Sequence, residues 1–175
     1  MTNIIHGCLD FKLDDEFKQL EYERESFNNP TDIENWVATY NWVDQFTGEL
    51  CDMRKAQPSW NNKIIEYFKT VFQWQEIGTS YYKMDSGVIL PAHKDTYKKY
   101  VEIFNLTGKE SSIYRAIVFL QDWDSGHYAE YNGKILPNWK AGDYVVWNYD
   151  TPHMAANIGI NPRYTLQVTG HVKQL

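Results

Sequence analysis

At 175 residues the chain has the length of one domain with a sizeable core and is short for two. It is 43% hydrophobic and 23% charged, as globular proteins are, and its net charge of −6 disfavours the basic surfaces that non-specific nucleic-acid binding needs. Cys8 and Cys51 are too few for a disulfide framework or a thiolate zinc site, and no stretch approaches the length of a membrane span.

The first ten residues lack the basic start and apolar run of a secretory signal, so the expectation is a soluble, reduced, cytoplasmic protein. Up to residue 77 the patterning is helical. Asp14 to Glu25 is charged, with Phe17, Leu20 and Tyr22 as its apolar contacts. Thr31-Asp32-Ile33-Glu34 reads as a capping box that opens a helix through Trp36, Val37, Tyr40 and Val43. Ser59 is placed to cap a third helix, in which Trp60, Ile64, Tyr67, Phe68 and Val71 recur at three- and four-residue steps. That spacing assigns these aromatic residues to the core.

From residue 78 the signals are those of strands. They run from Thr79 to Met84, Val88 to His93, Ile113 to Gln121, His127 to Tyr131, Asp143 to Asn148, Met154 to Ile158 and Arg163 to Val172. Asp85-Ser86-Gly87, Asp124-Ser125-Gly126, Asn132-Gly133, Ala141-Gly142 and Asn161-Pro162 punctuate them as turns. Short strands with a turn about every ten residues predict a jelly roll, a cupin-like double-stranded barrel. The expected arrangement is a single domain: residues 1–77 form a helical support and residues 78–175 a double-stranded β-helix core. Residues 96–112 interrupt the strands as a helix or a lid.

His93 and Asp95 stand at i and i+2 at a strand end, where side chains share a face and an imidazole and a carboxylate can reach one ion. His153 follows 58 residues after Asp95, a separation suited to a ligand arriving from a distant strand of the same barrel. Two His and one carboxylate leave open positions on an octahedral metal, as in non-haem iron(II) oxygenases, although zinc accepts the same set. Arg163, ten residues beyond His153 at the start of the last strand, is placed to grip a carboxylate bidentately. With four Arg in the chain, an arginine at that offset from a given His arises by chance about 2% of the time. Thr165 faces the same way and offers a hydroxyl.

Tyr82, Gly87, His93-x-Asp95, His153 and Arg163-Tyr164-Thr165, in that spacing over residues 79 to 172, resemble the 2-oxoglutarate- and iron(II)-dependent dioxygenase superfamily. The chain looks closest to its small prolyl-hydroxylase-like and aspartyl/asparaginyl-hydroxylase-like bacterial and phage members. The resemblance implies Fe(II) held by His93, Asp95 and His153, and 2-oxoglutarate paired with Arg163, helped by Thr165 and Tyr82. It further implies O2 as oxidant, ascorbate as a reductant, and release of succinate and CO2 as a C–H bond of an amino acid, other small molecule or peptidyl residue is hydroxylated. One departure is Thr165, where the family often has serine, a change that keeps the hydroxyl.

Arg115 interrupts an apolar strand, where an unpaired guanidinium is costly; it either faces the pocket toward an anion or pairs with a structural acid. Trp123, Tyr97 and Arg115 are the candidate substrate residues, with Trp147 divided between pocket and core. His127 is expected at the barrel mouth, Asn157 in the turn before Arg163. Two rivals remain: a non-catalytic cupin-like binding module, and a zinc-dependent hydrolase or isomerase on the same barrel. Nucleic-acid demethylation is disfavoured by the acidic balance.

Overall fold

Alternating side chains in the second half of the chain resolve into two antiparallel sheets. The computed structural model describes residues 4–42 and 44–173. The strands in chain order are β1 (Ile5–Cys8), β2 (Tyr22–Ser26), β3 (Phe46–Cys51), β4 (Gln75–Met84), β5 (Val88–His93) and β6 (Ile113–Phe119). β7 (His127–Tyr131), β8 (Lys134–Ile135), β9 (Asp143–Asn148), β10 (His153–Asn157) and β11 (Arg163–His171) complete them. The larger sheet has the order β1-β9-β6-β11-β4-β3-β2, and the smaller β5-β10-β7-β8. From β4 onward the chain winds between the sheets, so that β4 pairs with β11 and β5 with β10. First pairing with last is the winding of a double-stranded β-helix, the jelly roll that the turn spacing predicts.

Three helical expectations are corrected. Between Asp14 and Glu25 there is only a 3-10 turn over Asp15–Gln19, after which β2 begins and pairs with β3. A charged segment is tolerated there because β2 is an edge strand, with one side free to water. The segment before residue 78 thus contributes β1, β2 and β3 to the larger sheet as well as helices. The capping-box helix exists as α1 (Pro30–Tyr40), but Asn29, not Thr31, caps it, accepting from the Thr31 N–H at 3.2 Å with Pro30 in the first turn. It stops where Asn41 turns left-handed at φ 52°, and Val43 lies outside the described residues. Ser59 does not cap α2 (Asn61–Phe72); its hydroxyl and N–H both bond Glu16. Residues 96–112 hold a short helix, α3 (Lys98–Ile103), and a 3-10 turn.

α2 lays Ile64 and Phe68 on the outer face of the larger sheet, against Tyr81, Val118, Leu166 and Val168. Each such fully buried side chain contributes about 1.5–3 kcal/mol. A second cluster, Phe119, Tyr131, Trp139, Val145 and Trp147, fills one part of the barrel interior. The remaining inner positions of β11, which are Arg163, Thr165, Gln167 and Thr169, line a cavity of about 1050 Å3. The period of two thus sends apolar residues out to the helix and polar ones into the barrel.

The turn before β7 packs against the turn between β10 and β11. A Cβ on Gly126, at φ +91°, would stand 2.2 Å from the backbone nitrogen of Gly159. Gly126→Ala should therefore destabilise the fold by about 3 kcal/mol, read as a lowered urea midpoint.

Candidate metal centre

β5 ends and β10 begins at register partners, His93 and His153, whose ring centroids are 4.4 Å apart. His93 Nδ1 lies 2.8 Å from the Pro91 carbonyl oxygen, and His153 Nδ1 lies 3.0 Å from that of Thr151. A carbonyl only accepts, so each Nδ1 carries the hydrogen and each Nε2 presents a lone pair to the cavity. Asp95, two residues past the strand end, brings Oδ1 to 3.8 Å from His93 Nε2 and Oδ2 to 3.5 Å from His153 Nε2. One ligand atom from each residue lies within 4.8 Å of the others. Donors about 2.1 Å from a shared ion stand about 3–4 Å apart, so small adjustments suffice to close this set on a metal.

The first half of the chain holds His93 in place. The Trp36 indole on α1 donates to the Ala92 carbonyl at 3.1 Å, and the rings of Phe27 and Trp36 pack on the imidazole at 5.0 and 6.2 Å. Trp147 and Tyr131 wall His153 at 4.9 and 6.3 Å. Burial, and after it His153, push the His93 pKa down to about 4; burial lowers His153 as well. Burial raises Asp95, but the Arg115 guanidinium and the two imidazoles outweigh it and hold the carboxyl at about 2. At neutral pH the site is therefore two neutral imidazoles and a carboxylate, the protonation state a metal requires.

The same shift predicts acid lability. The unfolded chain takes up protons on these imidazoles at a higher pH than the folded one, so stability falls as pH drops. For His93 that loss runs from 6.5 down to about 4. Urea midpoints of metal-free protein at pH 7.5, 6, 5 and 4.5 should decrease steadily below 6.5, and saturation with a divalent metal should raise them at pH 7.5 and 6 without removing that slope, because the folded imidazoles are already neutral there.

Arg115 does both things that its place in the sequence left open: it lines the cavity and it pairs with an acid, Asp95 itself, at 2.7 Å from Nη1 to Oδ2. Its Nε donates to Thr169 Oγ1 at 3.3 Å, and the Tyr97 ring covers it at 4.5 Å. Arg163 is different. It is 3% exposed, and its Nη1 reaches only the Met84 sulfur at 3.2 Å. Its Nε has no partner, and the rings of Trp139 and Phe119 lie 5.5 and 5.9 Å away. No carboxylate pairs with it among the described residues. Burial accordingly lowers its pKa.

Thr165 and Tyr82 are register partners on β11 and β4 and line the cavity with Arg163; burial pushes Tyr82 up to about 12. Tyr97 lines it too, as a buried residue in the left-handed region at φ 51°. Two expectations are corrected. Trp123 does not line the cavity; its indole donates to the His127 carbonyl at 2.9 Å and its ring packs beside the barrel cluster. His127 lies not at the metal end but at the opposite end of β7, where it pairs in register with Asn157 and sits 3.1 Å from the Asn161 carbonyl. Asn157 serves the turn as expected, bonding Met84, Asn161 and Gly159. Sequence reasoning overlooked Tyr131, a buried wall of the site, and Gln167 and Thr169, which the two-residue step from Arg163 and Thr165 would have found.

No protein-family model and no curated protein matches the sequence. Solved structures do match in fold. The non-haem α-ketoglutarate-dependent epimerase SnoN of nogalamycin biosynthesis is 11% identical, with a TM-score of 0.57 over 98% of this chain and 77% of that one. The α-ketoglutarate-dependent carbocyclase SnoK of the same biosynthesis is 12% identical, with a TM-score of 0.54 over 91% and 84%. A Pseudomonas putida prolyl-4-hydroxylase is 12% identical, with a TM-score of 0.50 over 91% and 96%. At such identities the likeness shows the double-stranded β-helix fold and nothing finer.

Proposed function

We propose that the protein is an iron(II)- and 2-oxoglutarate-dependent oxygenase that hydroxylates a C–H bond of a small molecule, amino acid or peptidyl residue. The observation that carries this reading is Arg163, a buried guanidinium without an acid that faces the same cavity as His93, Asp95 and His153. A fold keeps an uncompensated buried cation at a penalty of several kcal/mol, so the group is set for an anion that arrives from outside.

The donor set fits the metal: two imidazoles fixed through Nδ1 and a carboxylate on one side, with the cavity open on the other. Iron(II) bound there would supply the one-electron chemistry that couples O2 to decarboxylation of the keto acid, giving succinate and CO2, with ascorbate keeping the metal reduced. The chain does the rest. Arg163 grips the distal carboxylate of 2-oxoglutarate, and the Thr165 hydroxyl donates to the same anion. Met84, Leu90 and Ile117 line the walls and exclude water. The three similar folds named above are all, by their descriptions, hydroxylases or α-ketoglutarate-dependent enzymes, which supports the assignment without specifying the substrate.

Purified protein loaded with manganese(II), which does not turn over, should be stabilised by 2-oxoglutarate. A 100-fold excess over Kd is worth about 2.7 kcal/mol, or about 5–10 °C in a domain of this size. With iron(II), ascorbate and O2 it should form succinate. Metal binding with neither a 2-oxoglutarate shift nor succinate would favour a zinc-type hydrolase or isomerase. A 2-oxoglutarate shift without turnover on any substrate would favour a binding module.

A further inference from the structure

We infer that the substrate of this site carries a carboxylate, which Arg115 receives at the open edge of its guanidinium beside the metal. The inference rests on the function proposed above and names the class of the second molecule that the cavity admits. A volume of about 1050 Å3 lies at the upper end for small-molecule sites and leaves room beyond a bound keto acid.

The charge inside the barrel is unbalanced without such a group. Asp95 contributes one negative charge, and Arg115 and Arg163 one positive charge each. A divalent metal adds two and dianionic 2-oxoglutarate removes two, with both imidazoles neutral. One positive charge is left in a largely buried space, where an unmatched charge is expensive. At the rim, Glu25 and Glu76 balance Lys98 and Lys99, and solvent screens them, so the mouth does not cancel the interior excess. A monoanionic substrate does.

Arg115 is also held in one orientation. With the Gln167 amide oxygen turned toward it, that oxygen lies 2.8–3.2 Å from all three guanidinium nitrogens. Only a position over the face of the group is near-equidistant from all three. The Tyr97 ring also lies over the group, at 4.5 Å. At the edge Nε donates to Thr169 Oγ1, while Asp95 Oδ2 lies 2.7 Å from Nη1 as an ion pair without an in-line hydrogen bond. The guanidinium is thus held on its faces and at Nε, while among the described residues neither Nη1 nor Nη2 has an in-line hydrogen-bond partner. A fork so held is preorganised for a planar carboxylate. Tyr97 keeps its place at the expense of a left-handed backbone, a conformation that costs a residue with a side chain about 1–3 kcal/mol and that accumulates at ligand sites.

The test uses manganese(II)-loaded protein saturated with 2-oxoglutarate under nitrogen. The probes are N-acetylated amino acids and C3–C6 monocarboxylic acids, each a monoanion set against its neutral primary amide, and short N-acetylated peptides with free or amidated C-termini. Calorimetry and thermal midpoints are the readouts. At least one acid should bind at least 30-fold more tightly than its amide, the free-acid and peptide arms showing which source the cavity accepts. Arg115→Lys keeps the charge beside Asp95 but loses the fork; brought again to saturation with manganese(II) and 2-oxoglutarate, it should lose at least tenfold in affinity for that acid and none for its amide. The inference is overturned if no acid binds, if amides match acids, or if Arg115→Lys binds the acid unchanged. A loss of 2-oxoglutarate affinity in Arg115→Lys would overturn it too, by assigning Arg115 to the keto acid. If the wild type does not bind 2-oxoglutarate, the underlying function fails first, and that outcome is visible before any acid is added.

Discussion

Arg163→Met should weaken 2-oxoglutarate binding by about 30-fold or more and, at the same time, raise the stability of the metal-free protein. The two effects have one cause. Among the described residues the buried Arg163 guanidinium has a sulfur contact and two aromatic rings for neighbours, and its Nε has no hydrogen-bond partner. Ring contacts of this kind return about 1–2 kcal/mol, whereas the effective penalty for burying an unpaired ion is several kcal/mol. Desolvation wins, so a methionine of similar length should stabilise the fold by about 1–3 kcal/mol, or roughly 2–10 °C in midpoint. Removing one partner of a buried charge-assisted pair costs about 2–5 kcal/mol in binding, a loss of about 30- to 5,000-fold in 2-oxoglutarate affinity. Calorimetry and thermal denaturation of the same two proteins check both halves. A destabilised Arg163→Met would mean that the residue has a structural partner, and the case for an incoming dicarboxylate would lose its support.

Asp95→Ala should have the opposite sign in stability. Here the arginine already has its acid, and removing the carboxylate strands Arg115 among Tyr97, Gln167 and Thr169. Breaking a buried pair from one side costs about 3–5 kcal/mol, so the midpoint should fall by roughly 10 °C. Metal affinity should fall by more than the 10- to 100-fold that loss of a mere outer-shell contact produces, because a donor atom itself is gone. Adding Arg115→Met to Asp95→Ala should recover most of the stability and none of the metal binding. The coupling energy from that cycle separates the structural part of Asp95 from its part at the metal. Equal metal affinity in wild type and Asp95→Ala would remove Asp95 from the ligand set.

Much of this was legible in the sequence, for identifiable reasons. β5, β7 and β9 begin and end where the alternation and turn residues place them, because local chemistry dominates at a Gly or an Asp-Ser-Gly turn. His93 and Asp95 could be paired on paper because a two-residue step at a strand end keeps a common face. β2 was not legible: a run of charges that suits an exposed helix suits an edge strand equally well, and only the neighbour β3 decides between them. Trp123 was misplaced for a related reason. Its spacing from the next turn says nothing of whether the ring enters the barrel or lies beside it.

By itself, then, the sequence determined the residue types, their two-residue periods and the turns, and hence a jelly roll with His93, Asp95, His153 and Arg163 as its candidate chemistry. These are properties of short stretches of chain. The tertiary structure alone decided which charges are matched. Whether Arg115 and Arg163 meet a carboxylate depends on β5, β6 and β11 arriving together from places far apart in the chain. Burial then turns that single difference into a matter of several kcal/mol, because a charge withdrawn from water needs a partner within hydrogen-bond reach. Arg115 found one in the fold. Arg163 did not, and on that difference the proposed co-substrate rests.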